Sequence, residues 1–195
     1  KTVMGLLPAA RGKIFYRGKE IQKNKPYEIA RMGIGFVPEH MGIFSELTVE
    51  ENMRVAMLVE DDASARRLER ILSMFSALKK FWKSKAGNLS GGQKQMLAIA
   101  RAIVNDMSLL LIDEPSKGLA PIIVDVVIDA INQIKERSVV VLVEQNFYMA
   151  SSVGDDFFIL DDGRVVHSGR VEELVQNEEL QSRYLGISKM EDSNP

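Results

Sequence analysis

Leu89-Ser90-Gly91-Gly92-Gln93 and, further on, Leu109-Leu110-Leu111-Ile112-Asp113-Glu114-Pro115 are the two stretches whose reading decides the fold. A Gly-Gly turn opening a helix presents free backbone N–H groups to an anion, and the helix dipole favours the same charge. A buried apolar strand that ends in two carboxylates offers one group to a magnesium ion and another to a water molecule. Each stretch also has a local explanation. Ser90 followed three residues later by Gln93 is a capping box, and a core strand can simply end in solvated acids. The two in succession, in this order, carry the reading.

Working outward, Lys1 to Gly5 reads as the last turn of a helix with Gly5 as its stop. Gly12 to Ile21 reads as a strand, a Gly-containing turn and a second short strand, and Ile34 to Val37 as a strand halted by Pro38. Thr48 and Glu51 form a capping box for a helix reaching about Val59. A second helix starts at Asp61-Asp62, with Leu68, Ile71, Leu72 and Phe75 on one face. Lys79 to Lys85 reads as a basic loop with a solvated face. Ser90 opens a helix carrying Met96, Leu97, Ile99, Ala100 and Ile103, and Pro121 starts another that reaches about Arg137. Val139 to Val143 is a continuous β-branched run, expected in a parallel sheet covered on both faces. Asp162-Gly163 marks a hairpin between Phe157–Leu160 and Arg164–His167, with short helices near Val171 and Glu178 and a frayed tail from Met190 to Pro195. Strands alternating with helices predict one α/β domain over residues 1–195, with residues 50–86 inserted as a helical lobe.

Composition narrows the function classes. The 195 residues are 46% hydrophobic and 27% charged, with 25 Lys plus Arg against 27 Asp plus Glu and a net charge of −2. That balance gives no footprint for nucleic acid. The absence of cysteine excludes disulfides and thiolate metal sites. The longest apolar runs are too short to span a bilayer, so a membrane role would come through a partner. His40 and His167 stand apart without metal-ligand spacing and read as structural. The ten methionines read as core filler.

The two motifs together resemble the ABC-type ATPase family, whose signature is LSGGQ followed by a Walker B strand. The resemblance implies a P-loop NTPase-type fold and a chain that binds and hydrolyses ATP with Mg2+. It assigns Asp113 to magnesium and Glu114 to polarising the attacking water. It places Ser90, Gly91, Gly92 and Gln93 against the γ-phosphate of ATP held by a second ATPase subunit, so that a dimer is part of the site. Ser116, Lys117, Gly118 and Leu119 form the loop that crosses the dimer interface, with Ser116 and Gly118 near the nucleotide. Glu39 stands where the family commonly has a glutamine that senses the γ-phosphate and metal. Gln145 stands where it commonly has a switch histidine, and Ala120 where it has an aspartate. Gln145 can still donate a hydrogen bond to phosphate but cannot carry a proton.

These departures occur together with Gly118-Leu119-Ala120-Pro121, the run FSELTVEEN from Phe44 to Asn52, and the closing Tyr184-Leu185-Gly186. That combination is similar to the second ATPase of branched-chain amino acid importers and the related urea importers. The likeness implies integral-membrane permease subunits as partners, a solute-binding protein as an indirect one, and a cytoplasmic location on the inner face of the cell membrane. The loop from Glu39 to Leu47, with apolar Met41, Ile43 and Phe44, would either receive a permease helix or pack within the lobe. Two other readings fit the motifs: a non-transport ABC ATPase, and a catalytically silent module that keeps the fold and the dimer surface. No G-x-x-x-x-G-K-[ST] occurs in the sequence. Lys1-Thr2 is not its end, because Gly5 and Pro8 follow too closely for a long helix. The expectation is therefore an N-terminally truncated ATPase domain whose phosphate loop lies upstream, and which binds ATP poorly as this piece alone.

Overall fold

The computed structural model describes residues 1–185. Gly186 and the tail from Met190 to Pro195 lie outside the described residues. Lys1 to Leu6 form a single turn whose backbone bonds include Leu6 N–H to Lys1 O at 3.2 Å and Gly5 N–H to Thr2 O at 3.0 Å. Gly5 has φ 67°. This is the Schellman pairing that ends helices, so the helix-end reading of this stretch holds. Strands β1 (Phe15–Tyr16) and β2 (Lys19–Glu20) pair antiparallel, and helix α1 (Pro26–Arg31) follows with Pro26 in its first turn.

The central sheet is parallel. Strand β3 (Ile34–Val37) pairs with β4 (Leu109–Asp113), and β4 with β5 (Val139–Val143), in the order β3-β4-β5. Between β3 and β4 the chain is helical: α2 (Val49–Ala56), α3 (Asp62–Met74), α4 (Ser76–Lys80) and α5 (Gly91–Ile103). Helix α2 stops at Ala56, short of Val59. The Asn105 side chain accepts from Leu58 N–H at 2.9 Å and donates to Ala56 O at 2.8 Å, which satisfies the backbone of a chain already leaving the helix. The expected basic loop begins inside α4. Its Lys83 and Lys85 pair with Glu50 and Glu46 at the surface.

Helix α6 (Pro121–Lys135) joins β4 to β5, and α7 (Phe147–Val153) follows β5, capped by Asn146. Strands β6 (Asp156–Asp161) and β7 (Arg164–Arg170) form the expected hairpin, with Asp162 and Gly163 both at positive φ as a type I′ turn requires. Helices α8 (Val171–Gln176) and α9 (Glu178–Leu185) end the described chain.

Alternation along the strands divides the apolar residues between two faces. Val37, Leu110 and Ile112 are buried in the main core, with Leu97 and Ile99 of α5, Val127 and Ile131 of α6, and Phe75 and Leu78 of the α3–α4 region. Ile34, Phe36, Leu109 and Leu111 face the other way, onto a smaller cluster with Met4, Ile21 and Ile29. Four methionines, Met4, Met53, Met96 and Met149, are buried, as core filler should be. The expected cover on both faces of β5 is not observed. Val139, Val141 and Val143 are 65%, 48% and 54% exposed. The strand is the end member of the sheet, and among the described residues the Met4–Ile21–Ile29 cluster extends over β3 and β4 only. No described helix is long and apolar enough to cross a membrane.

Candidate functional site

Three neighbouring parallel strands all end at one edge of the sheet, so the loops after them meet there. Glu39 follows β3, Asp113 and Glu114 close β4, and Gln145 follows β5. Such a carboxyl edge is where open α/β sheets hold their ligands. Glu114 sits at φ 46°, a left-handed conformation uncommon for a residue with a Cβ, and its N–H is held by Val143 O at 2.8 Å. The strand end is thereby turned so that the side chain of Glu114 leaves the sheet into the loop cluster.

The side chains there form one hydrogen-bonded group. Gln145 Nε2 donates to Glu114 Oε1 at 2.6 Å. Lys117 Nζ lies 3.3 Å from Glu114 Oε2 and 2.5 Å from Glu39 Oε1. The Lys117 hydrogen bond, then its charge, lowers the Glu39 carboxyl below its ordinary range, while bonding to Glu39 and Glu114 raises the Lys117 ammonium. Glu144 braces the next layer. Its Oε1 accepts from Ser116 N–H at 2.8 Å, and its Oε2 from Gln145 and Asn146 N–H, each at 3.1 Å. Ser116 is buried, Gly118 exposed.

Of the residues singled out from sequence, the structure thus brings together Glu39, Glu114, Gln145 and Ser116, with Asp113 at the end of the same strand as Glu114. Lys117 and Glu144 were given no chemical role by the sequence reading. The signal for Glu144 is its place immediately after a strand end. Lys117 had none, because its two acids come from different loops. Among the described residues no group of three or more His, Asp or Glu forms a metal cage. His40 is exposed, and His167 stacks on Phe157 with ring centroids 5.7 Å apart.

The Ser90 turn is built separately. Ser90 caps α5: its Oγ accepts from Gln93 N–H at 3.3 Å, and Gln93 Oε1 accepts from Ser90 N–H at 2.9 Å. The capping-box explanation is therefore realised in the structure. A Cβ on Gly91 would meet nothing within 4 Å, whereas one on Gly92 would lie 2.6 Å from Ile123 Cγ2 of α6. One glycine packs the helix start against its neighbour, and the other borders open space on its Cβ side. Among the described residues no hydrogen bond or ion pair joins this turn to the Glu114 cluster.

The loop after β3 is a third feature of this region. Met41 and Ile43 pack against the core, while Phe44 is 46% exposed. Arg101 covers the Phe44 ring at 4.8 Å and donates to Gly42 O at 2.5 Å, and burial pushes its guanidinium down. Fully buried Asn52 accepts from Phe44 N–H and donates to Phe44 O, both at 2.9 Å. A cavity of about 500 Å³ lined by Arg66, Arg70, Ile71, Met107, Ile134 and Arg137 lies by the segments that enter β4 and β5, away from the acids. The polar groups converge instead at the carboxyl edge.

Comparison with known proteins bears on the family and the fold. The family model described as ABC transporter matches residues 1–117. BraG of Pseudomonas aeruginosa, a high-affinity branched-chain amino acid transport ATP-binding protein, is 40% identical over 187 residues, covering 95% of this chain and 80% of the relative. LivF of Archaeoglobus fulgidus, a probable branched-chain amino acid transport ATP-binding protein, is 35% identical over 190 residues, 96% of this chain and 80% of its own length. Among solved structures, the ADP conformation of the ATP-binding cassette MJ1267 superposes with a TM-score of 0.79 at 21% identity, over 95% of this chain and 79% of that one. That likeness establishes the fold. With the family model over residues 1–117 and relatives of 35–40% identity along nearly the whole length, the chain belongs to the ABC transporter family.

Proposed function

We propose that this chain is the ATP-binding and ATP-hydrolysing subunit of an importer for branched-chain or other hydrophobic amino acids. The observation that carries the chemistry is the convergence of Glu114, Gln145, Glu39 and Asp113 at one sheet edge, with Glu114 turned out by a left-handed backbone. The relatives' transport role supplies the substrate class. Glu114 accepts a hydrogen bond from the attacking water and aligns it with the γ-phosphorus. Gln145, already bonded to Glu114, orients that carboxylate and donates to phosphate as the water adds.

The donor set suits magnesium, which takes one or two carboxylates and fills its other positions with water and phosphate oxygens. This edge already gathers one cation, the Lys117 ammonium, between two acids. Asp113 and Glu39 would hold the metal, whose charge offsets that of the phosphate oxygens. Ser90, Gly91, Gly92 and Gln93 face the γ-phosphate bound by a second ATPase subunit, and Ser116 and Gly118 lie on the loop between the two. Residues 50–86 act as a helical subdomain. Exposed Phe44, Val55, Leu58 and Val59 offer an apolar surface to the permease subunits. The working location is the cytoplasmic face of the membrane, with the solute-binding protein reached only through the permease.

Glu114→Gln in the full polypeptide tests this reading. The amide keeps the site's shape but accepts protons from water poorly, so hydrolysis should fall by roughly 10²–10⁴-fold while ATP binding persists. The variant should elute as an ATP-dependent dimer in size-exclusion chromatography. Turnover within a few-fold of wild type, or a monomer at saturating ATP, contradicts the assignment.

A further inference from the structure

Glu39 and Glu114 project from loops after adjacent strands, and two carboxylates so placed repel unless a cation lies between them. Lys117 Nζ is that cation, 2.5 Å from one acid and 3.3 Å from the other. With Gln145 Nε2 on the second oxygen of Glu114, both oxygens of the acid that positions water are engaged within the chain. The Lys117 side chain is 63% exposed and Glu39 45%, so the contact is within reach of solvent and of an incoming ion. The Glu114 side chain, at 20%, is the sheltered member.

We propose that Lys117 is a positioning residue that latches Glu39 to Glu114 in the resting site and is displaced when magnesium and nucleotide enter. This rests on the ATPase reading given above. The ammonium and the divalent ion seek the same carboxylate oxygens, so they compete. A surface ion pair is individually weak and breaks readily. A magnesium ion with phosphate oxygens completing its shell is the stronger claimant. Release of Lys117 frees one oxygen of Glu114 for water while Gln145 keeps the other in place. Hydrolytic geometry is thereby assembled only when the cation and nucleotide are both present. Ser116, next to Lys117, stays anchored through Glu144, so the change is confined to the lysine side chain.

The test is a magnesium titration of the binding of a fluorescent ATP analogue to the full polypeptide, comparing wild type, Lys117→Met and Lys117→Arg. Removing the competing charge should lower the magnesium concentration at half-maximal binding by about two- to fivefold, the factor an exposed ion pair of ordinary strength contributes. The arginine variant keeps the charge and should retain the wild-type midpoint. If Lys117→Met does not fold, Lys117→Gln carries the same comparison. A midpoint that is unchanged or raised on loss of the charge overturns the latch alone. Failure of every protein, wild type included, to bind the analogue at any magnesium concentration overturns the ATPase reading and the latch with it.

Discussion

The Ser90 turn and the Glu114 cluster both present polar groups at the ends of regular structure, yet they are built on opposite plans. The turn is local: within it Ser90 and Gln93 satisfy each other, Gly92 packs on Ile123, and Gly91 faces open space. The cluster is assembled from three loops, and its members hold one another through Lys117, Gln145 and Glu144. A surface that must close on a ligand held elsewhere is best kept rigid and unencumbered. A surface that must do chemistry needs groups whose positions depend on one another. If that contrast is right, changes in the turn should stop hydrolysis and leave nucleotide binding to the same subunit untouched, whereas the cluster holds both kinds of member: Glu114, whose loss stops hydrolysis alone, and Lys117, whose loss moves binding.

Ser90→Arg is the severest way to break the contrast. A long cation in place of the cap removes the Ser90 hydroxyl and fills the space beside Gly91, and hydrolysis should fall by roughly a hundredfold or more, as when oriented donors to a transition-state oxygen are lost. Binding of a fluorescent nucleotide to the same subunit should be unchanged, because the turn lies outside that subunit's own cluster. Loss of binding would mean that turn and cluster form a single site within one chain.

The two glycines sharpen the comparison at the level of packing. Gly92→Ala places a methyl group where Ile123 already stands, and overlap of this kind in a packed region costs about 1–3 kcal/mol. The urea midpoint should fall, and Ile123→Ala in the same chain should recover part of the loss, a coupling that a double-mutant cycle measures. Gly91→Ala meets no neighbour and sits in a helix first turn, so stability should hold or rise by up to about 1 kcal/mol. Hydrolysis should nonetheless drop, since the added methyl group stands on the face offered to phosphate. A Gly91→Ala protein with full activity would show that this face touches nothing during turnover.

How much of this was legible beforehand follows the same division. The turn, its helix, the capping box at Thr48, the hairpin at Asp162-Gly163 and the apolar strand before Asp113 all depend on residues within a few positions of one another, and each appeared where the pattern placed it. Helices α1 and α7 were passed over, although Pro26 and Asn146 marked their starts. The exposure of Val139, Val141 and Val143 could not be read from a β-branched run, since the same letters serve a strand with one face covered or two. Lys117 was quoted as part of a loop, but its partner Glu39 lies 78 positions earlier, on the far side of the helical segment and β4. Only the parallel register of β3 and β4 brings them together. Local chemistry is written in the string; the partners of a charge are written in the topology.

The capping boxes at Thr48 and Ser90 allow a last and smaller test of what a local device contributes. Thr48 and Glu51 at the start of α2 repeat the geometry of Ser90 and Gln93, with Thr48 N–H donating to Glu51 Oε2 at 2.7 Å and the hydroxyl donating to the same oxygen at 2.8 Å. The bond from the Thr48 backbone, then that from its side chain, holds the Glu51 carboxyl below its ordinary value of 4.5. A depressed carboxyl stabilises the fold above its unfolded pKa and loses that contribution as pH falls through its folded one. The Thr48 box should therefore weaken below pH 4.5, whereas the Ser90 box, which has an amide in place of the acid, should not respond to pH. Thr48→Ala should lower stability by about 1 kcal/mol at neutral pH, the usual cost of a lost threonine cap. It should leave much of the acid sensitivity in place, because the backbone donor to Glu51 remains. Glu51→Gln converts this box into the chemistry of the other, and its denaturation midpoint should vary less with pH below 4.5 than that of wild type. An acid limb identical in wild type and Glu51→Gln would mean that the cap is frayed in solution, and that rigidity at the start of α2 comes from Asn52 and its bonds to the Phe44 loop instead.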